Sequence, residues 1–386
     1  MYIPFIFVKR RMEMVIKNGM VLMEDFEFRR VDIKIIDGII QKISDTGIAS
    51  EVGEEIIDAS DMKVIPGLTD IHFHGCMNYD LCDADDEGIS KMAEYQRSCG
   101  VTTICPATMT LPKDRLMVIC QAAAKHQKGE NEAEIVGINL EGPFISPSRV
   151  GAQNPKYVHK ADVGFLADLI EASCGLTKLV TIAPEEEGAL DCISELNSKI
   201  KFSIGHTMAN YEETVAGIDA GIRHMTHMFN AMPGLTHRDP GPIAAAAETP
   251  DMTVELICDG HHINPATIRV AFQIFGPDRL VIISDSCRAC GMPDGAYELG
   301  GQTVYKKDGI ARLADGTIAA SVKNAYECMV NVIRFGVPQE EAIRAATYNP
   351  AKAIGIDEKY GSIAEGKVAN VLLVNEDFEI QRVIAQ

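Results

Sequence analysis

The sequence predicts an α/β chain: a (β/α)8, TIM-like barrel carrying a small β-sandwich domain built from both chain ends. Three observations lead there. Short, near-continuous apolar runs alternate with helix-length amphipathic stretches through the middle of the chain, the mark of a parallel sheet covered on both faces. Eight such runs can be read over about 220 residues, close to the roughly 250 of a barrel of this type. Finally, both ends have a different texture, with alternating β-runs broken by Gly and Asp turns.

Taken in order, MYIPFIFVKRRMEM places its apolar run ahead of its basic residues. That order is wrong for a secretory leader and the run is too short, so it reads as an extension before the strand-like stretch Met14 to Asn18. MVIKNG, RRVDIKIIDG, IIQKIS and MKVIPG then read as strands of a small sheet. The barrel runs follow as KVIPGLTDIHFH, VTTICPA, IVGINLE, KLVTIAP, KFSIGH, IRHMTH, TVELICD and LVIISD. Segments such as Ser90 to Cys99 and Tyr211 to Ala220 supply helices between them. Near the end, GSIAEGKVANVLLVN returns to a Gly-rich turn and a β-branched run. The expected division is residues 1–65 with 350–386 for the small β-rich domain, and 66–349 for the barrel. A doubly wound open sheet is the competing architecture, but no G-x-G-x-x-G follows the first strand and there is no P-loop.

Composition narrows the function. At 386 residues, 46% hydrophobic and 24% charged, the chain is ordinary globular material, which excludes collagen-like, coiled-coil and wholly disordered classes. A formal net charge of −19 argues against nucleic acid or an anionic membrane as partner. It leaves room for a small anion in a locally cationic pocket. No run reaches the roughly 18 apolar residues of a membrane span. The 11 cysteines are odd in number and unpatterned, as expected of a reduced, cytoplasmic protein. Cys287 and Cys290 match C-x-x-C, but no second pair follows to make a zinc knuckle.

The residues that end the barrel runs carry the chemistry. Run one ends in His72 and His74, run three in Glu141, run five in His206, run six in His227, run seven in Asp259 and run eight in Asp285. Barrel strand C-termini converge on one face, where active sites sit. His72 and His74 are two apart, so on a strand both leave the same face. Imidazoles with carboxylates suit Zn2+, Fe2+, Mn2+ or Co2+ better than Ca2+ or Mg2+. The expected arrangement is one or two divalent metals per subunit: His72, His74 and Asp285 on one, His206 and His227 on the other, with Glu141 shared. Such a site activates water for hydrolysis, with Asp285 as general base and then acid. Any one of these residues alone would be a polar residue at a loop start, but their coincidence at so many run ends is the signal. His126 and His159 fit no run end and read as surface residues; His224 reads as structural.

These residues resemble the amidohydrolase superfamily, with GLTDIHFHG as its strand-one signature. Within it the chain is similar to the N-acetylglucosamine-6-phosphate deacetylase family, through NLEGPFISPSRVGAQNP, SIGHTMANYEE, MTHMFNAMPGLTHRDPG, ELICDGHHINP, ISDSCRACGMPDGAYELGG and GTIAASVKNAYECMV. The resemblance implies hydrolysis of N-acetyl-D-glucosamine 6-phosphate to D-glucosamine 6-phosphate and acetate, in amino-sugar catabolism. It makes Glu141, His206 and His227 the common metal ligands, His72 and His74 the H-x-H of two-metal members, and Asp285 the acid/base. Many relatives carry a carboxylated lysine at the bridging position where this chain has Glu141. Substrate contacts fall by the same resemblance on Ala152 and Gln153, Asn230 and Ala231, the Asp259, Gly260, His261 and His262 run, and Ile318, Ala319 and Ala320. Arg238 would reach the phosphate in the neighbouring subunit, implying a homodimer. N-acetylgalactosamine 6-phosphate or another N-acyl amine is the alternative substrate, and a non-catalytic scaffold the alternative class. Three positions depart from the family pattern: Gln153 stands where some members have His, Cys287 where Met is more usual, and Ala320 where many have Gly.

Overall fold

The computed structural model describes residues 13–386; the expected extension through Met12 lies outside the described residues. Two compact units result. One runs through Gly67 and includes Glu358–Gln386, and the other is Leu68–Asp357.

The first unit is a seven-stranded sheet. Glu13–Leu22 pairs antiparallel with Phe28–Ile36, which pairs with Ile39–Ser44. A register shift between Ile16 and Gly19 lets the long first strand serve two neighbours: Met14 to Lys17 face Glu55–Asp58, while Met20 and Val21 face Lys63 and Val64. Gly19 is required at that shift, because a Cβ there would sit 2.6 Å from Val64 Cγ2. Lys63–Pro66 then pairs antiparallel with Val371–Val374, which pairs with Ile380–Ile384. The C-terminal run thus completes the sheet begun at the N-terminus. Alternation along these strands puts Ile16, Val21, Ile33, Val64, Val371 and Leu373 into one core.

The second unit holds eight parallel barrel strands in chain order. They are Leu68–Asp70, Val101–Ile104 continued by Ala107–Thr108, Ile138–Glu141, Thr177–Ile182, Lys201–Ile204, His224–Met225, Thr253–Ile257 and Leu280–Ile283. Each pairs with the next. The eighth returns to the first where Asp285 N donates to His72 O at 2.9 Å and His74 N to Ser286 O at 2.8 Å. Strands such as Val101–Ile104 and Leu280–Ile283 are buried throughout, which explains their unbroken apolar sequence. Helices cover them, and their starts are written in side chains. Asp85 caps Asp86–Ser98, while Asn210 with Glu213 and Asn324 with Glu327 form capping boxes at Tyr211–Ala220 and Ala325–Arg334. Among the described residues, no helix is long and apolar enough to cross a membrane.

Two features depart from the sequence reading or escape it. Between the eighth strand and its helix lies a four-stranded antiparallel insert, Gly295–Leu299, Gln302–Lys307, Ile310–Arg312 and Ile318–Ala320. Its strands are short and largely polar outward, so they gave no barrel-like run. Their inner face packs Leu299, Val304, Ala311 and Ala320 on Met109 and Cys287. The other concerns His126, which is no surface residue. It closes the helix Lys113–Lys125 with a side chain only 4% exposed, between Asp86 Oδ1 at 2.8 Å and Glu132 Oε2 at 2.9 Å. His159 is exposed.

Candidate metal centre and cavity

The barrel gathers its strand ends in one place. Ladder pairing of the first strand stops at Asp70, but the chain stays tied to both flanks through Ile71–His74: Cys105 N donates to Asp70 O and Ala107 N to Phe73 O on one side, and Asp285 N to His72 O on the other. Ile71 and Phe73 bury one way. His72 and His74 leave the other way, with ring centroids 5.7 Å apart. Gly205 permits the fifth strand to bring in His206, because a Cβ there would lie 2.6 Å from Thr226 Cβ. His206, His227 and Asp285 all take left-handed backbone, with φ of 46°, 26° and 46°. Side chains other than glycine rarely adopt this conformation, and here it ends each strand by turning its polar residue inward.

Glu141, at the end of the third strand, is the hub. Its Oε1 lies 2.9 Å from both His206 Nε2 and His227 Nε2 and 3.5 Å from His72 Nε2. Its Oε2 lies 3.2 Å from His74 Nε2, which is itself 3.4 Å from Asp285 Oδ1. Two donor groups of three therefore share this carboxylate: His72, His74 and Glu141, and Glu141, His206 and His227, all buried.

The donor chemistry fits divalent cations. His206 Nδ1 donates to Arg149 O at 2.9 Å and His72 Nδ1 to Glu255 Oε2 at 2.9 Å. Each of these rings therefore keeps its Nε2 lone pair for the centre. The Nε2 atoms of His206 and His227 approach to 3.1 Å, near the roughly 3.3 Å expected between ligand atoms on a tetrahedral ion with bonds of about 2.0–2.1 Å. His72 Nε2 and Asp285 Oδ1 are buried without a hydrogen-bond partner, a costly arrangement unless something else is held there. Electrostatics agree that the cluster favours positive charge, which a metal in place of the imidazole protons would supply. Burial alone would depress the His72 and His74 imidazoliums, yet the facing carboxylates outweigh it. Glu255 and Glu141 hold His72 well above its ordinary range, and Asp285 and Glu141 push His74 up to about 10. Burial would raise Glu141 and Asp285, but the imidazoles hold both below the usual carboxylate range.

A cavity of about 500 Å3 opens over this hub, within the range of small-molecule sites. Ala152, Gln153, Asn230, Ala231, His262, Ile318 and Ala319 line it together with His74, Glu141, His206, His227 and Asp285. Gln153 is buried, accepting from Thr110 N at 2.6 Å and donating through Nε2 to Glu141 Oε2 at 2.5 Å. It therefore clamps the shared carboxylate. Asp259 lies behind the wall: Oδ1 accepts from His261 N and His262 N, and Oδ2 meets His262 Nδ1 at 2.8 Å. Burial lowers His262, but Asp259 more than compensates and leaves it raised. Gly260, His261, Ala320 and Arg238 do not line the cavity. Gly260 and His261 are exposed, Ala320 is buried on the inner face of the insert, and Arg238 stands exposed on the 233–240 loop.

Cys287 packs with Met109, Ala289 and Ala320, and burial pushes its thiol and that of Cys290 up to about 12. Both are free, and neither joins a metal-competent group among the described residues. The sequence reading passed over Glu255, which contacts His72, His224 and the backbone of His227. The signal was a carboxylate in the middle of an otherwise apolar barrel strand. His224 is indeed buried against it.

A family model described as the amidohydrolase family matches residues 63–386. The N-acetylglucosamine-6-phosphate deacetylase of Vibrio furnissii is 36% identical, covering 87% of this chain and 86% of that protein. The N-acetylgalactosamine-6-phosphate deacetylase of Escherichia coli O157:H7 is 32% identical over 92% and 93%. Among solved structures, a mutant N-acetyl-D-glucosamine-6-phosphate deacetylase from Mycobacterium smegmatis, in complex with N-acetyl-D-glucosamine-6-phosphate, superposes with a TM-score of 0.88. It is 32% identical, with 97% of this chain and 98% of that one covered.

Proposed function

Because the chain belongs to the amidohydrolase family, we propose that this buried cluster of four imidazoles and two carboxylates hydrolyses the acetamide of N-acetyl-D-glucosamine 6-phosphate, releasing D-glucosamine 6-phosphate and acetate. The observation that carries the reading is Glu141, whose two oxygens serve two donor groups at the floor of the cavity. His72 and His74 with Glu141, and His206 and His227 with Glu141, would hold the divalent metals, with Zn2+ first among the candidates for an N/O donor set. Once bound, such ions supply a Lewis acid for the acetyl oxygen and lower the pKa of water toward neutrality.

The chain's own residues do the rest. Asp285, unpartnered at Oδ1 and facing the cavity, takes a proton from the attacking water and delivers it to the departing amine nitrogen. Gln153 keeps Glu141 from rotating. Asn230, Ala231, Ala152, Ile318 and Ala319 shape the sugar subsite, with Asp259, Gly260 and His261 fixing the loop that presents His262. Ala320 sets the height of the insert beneath that subsite.

The phosphate carries about −1.5 to −2 charges near neutral pH. Arg149 is the one permanently cationic residue on the cavity lining among the described residues. Arg238, exposed on its loop, supplies the second cation to a neighbouring copy in a homodimer, where a planar guanidinium can meet phosphate oxygens in pairs. Free thiols throughout the described chain suit a reducing compartment, and we place the enzyme in the cytoplasm.

Acetate release from N-acetylglucosamine 6-phosphate, N-acetylgalactosamine 6-phosphate and unphosphorylated N-acetylglucosamine tests the reading. The first is expected to give the highest kcat/KM, and Arg238→Ala to erase most of the phosphate's advantage by raising KM. A galactosamine preference would favour the alternative substrate suggested by the Escherichia coli relative. No acetate from any of the three would end the proposal.

A pH dependence follows from His262. Asp259 holds its imidazole raised, so the cationic ring persists to higher pH than usual and is lost as pH rises through that raised value. Because His262 lines the cavity, the positive charge it offers an anionic substrate is lost along the same limb. Asp259→Asn removes the raising carboxylate and leaves burial's lowering effect. The alkaline limb of kcat/KM therefore moves to lower pH in this variant, while the acid limb stays in place. An unchanged alkaline limb would show that His262 does not govern it.

A further inference from the structure

Glu255 has no place in the chemistry above, yet it occupies the most protected position near it. It is the third residue of the seventh barrel strand, between Val254 and Leu256, and is 0% exposed. A buried carboxylate is strongly unfavourable unless its oxygens are met by donors. Here every partner belongs to the metal centre or its support. Oε2 accepts from His72 Nδ1 at 2.9 Å and from His227 N at 3.0 Å. Oε1 accepts from His224 Nε2 at 3.0 Å, and His224 Nδ1 is itself tied to Thr253 Oγ1 at 2.6 Å. Glu255 is absent from the cavity lining, so it cannot touch a substrate.

The four imidazoles are not backed alike. His206 Nδ1 rests on a neutral backbone carbonyl. The Nδ1 atoms of His74 and His227 have no hydrogen-bond partner. Only His72 is backed by a carboxylate. A carboxylate behind an imidazole fixes the tautomer, pins the ring and makes the opposite nitrogen a stronger donor. The effect must fall mainly on the group His72 belongs to, namely His72, His74 and Glu141.

We infer that Glu255, held in place by His224, is the positioning residue that makes the His72–His74 position a competent metal site, and so decides whether each subunit carries two metals or one. This rests on the two-metal reading of the centre, and the test separates the two. Full-length protein is stripped of metal and titrated with Zn2+ against a competing chromophoric chelator, with metal per chain checked by elemental analysis. The wild type takes up two equivalents; fewer would count against the two-metal reading itself. Glu255→Ala keeps one equivalent at wild-type affinity and binds the second about 10–100-fold more weakly. Glu255→Gln falls between the two, because its amide oxygen still accepts from His72 Nδ1. His224→Phe weakens the second equivalent by a smaller factor, acting through Glu255 alone.

The inference is overturned if Glu255→Ala binds both equivalents with wild-type affinity. It is equally overturned if both equivalents weaken alike, since that marks general damage to the barrel. Should Glu255→Ala not fold, Glu255→Gln decides: a selectively weakened second equivalent supports the assignment, and two equivalents of wild-type affinity sink it.

Discussion

Asp285→Asn is expected to lower kcat by about 10²–10⁴ while the protein keeps its metal. The two expectations are separable because of where Asp285 stands. Its Oδ1 is 3.4 Å from His74 Nε2 and 3.8 Å from His72 Nε2, at the margin of the donor cluster, whereas Glu141 lies at its centre. An asparagine of the same size keeps the backbone bonds that close the barrel here, Asp285 N to His72 O and Ser321 N to Asp285 O. What disappears is the ability to accept a proton. The imidazoles hold this carboxyl below its usual range, so it is ionised and ready as a base across the neutral region. KM should change little, since the proton transfers assigned to Asp285 belong to the chemical step and not to substrate binding. Steady-state kinetics paired with elemental analysis checks both halves. A variant with more than about a tenth of wild-type kcat would remove Asp285 from the acid/base role.

Glu141→Ala is expected to be more severe, eliminating activity together with both metal equivalents. All four histidine donors approach this one side chain, and it is the carboxylate that Gln153 holds. Removing it leaves four imidazoles facing a void. The clearest readout is thermal. A ligand that binds only the folded state stabilises it by about 4 kcal/mol at a thousandfold excess over Kd. Zn2+ should therefore raise the melting temperature of the metal-stripped wild type and leave that of Glu141→Ala unmoved. An equal rise in both would show that the ion sits elsewhere.

Much of this was legible before any coordinates, for a definite reason. Barrel strands are buried on both faces, so they read as apolar runs, and the polar residue that ends each one stands out. His72, His74, Glu141, His206, His227 and Asp285 were found in that way. Glu255 was not, because it lies inside a run instead of at its end, and strand periodicity says nothing about which way a mid-strand carboxylate faces in a closed barrel. The insert at 295–320 was missed because its strands are short and present mostly polar residues outward. His126 misled for a simpler reason: a lone histidine after a helix looks solvent-bound until Asp86 and Glu132 are seen to enclose it. The reach we propose for Arg238 across a subunit boundary would be a property of two chains, which no local pattern in one of them encodes.

The left-handed turns at His206, His227 and Asp285 carry one last consequence. A residue with a Cβ in this region costs on the order of 1–3 kcal/mol that the surrounding structure must absorb. Glycine at any of the three would relieve that cost, so the metal-free scaffold should melt higher as it loses the ability to turn over. Screening such a protein for thermal robustness alone would therefore select against the very side chains that give it a purpose.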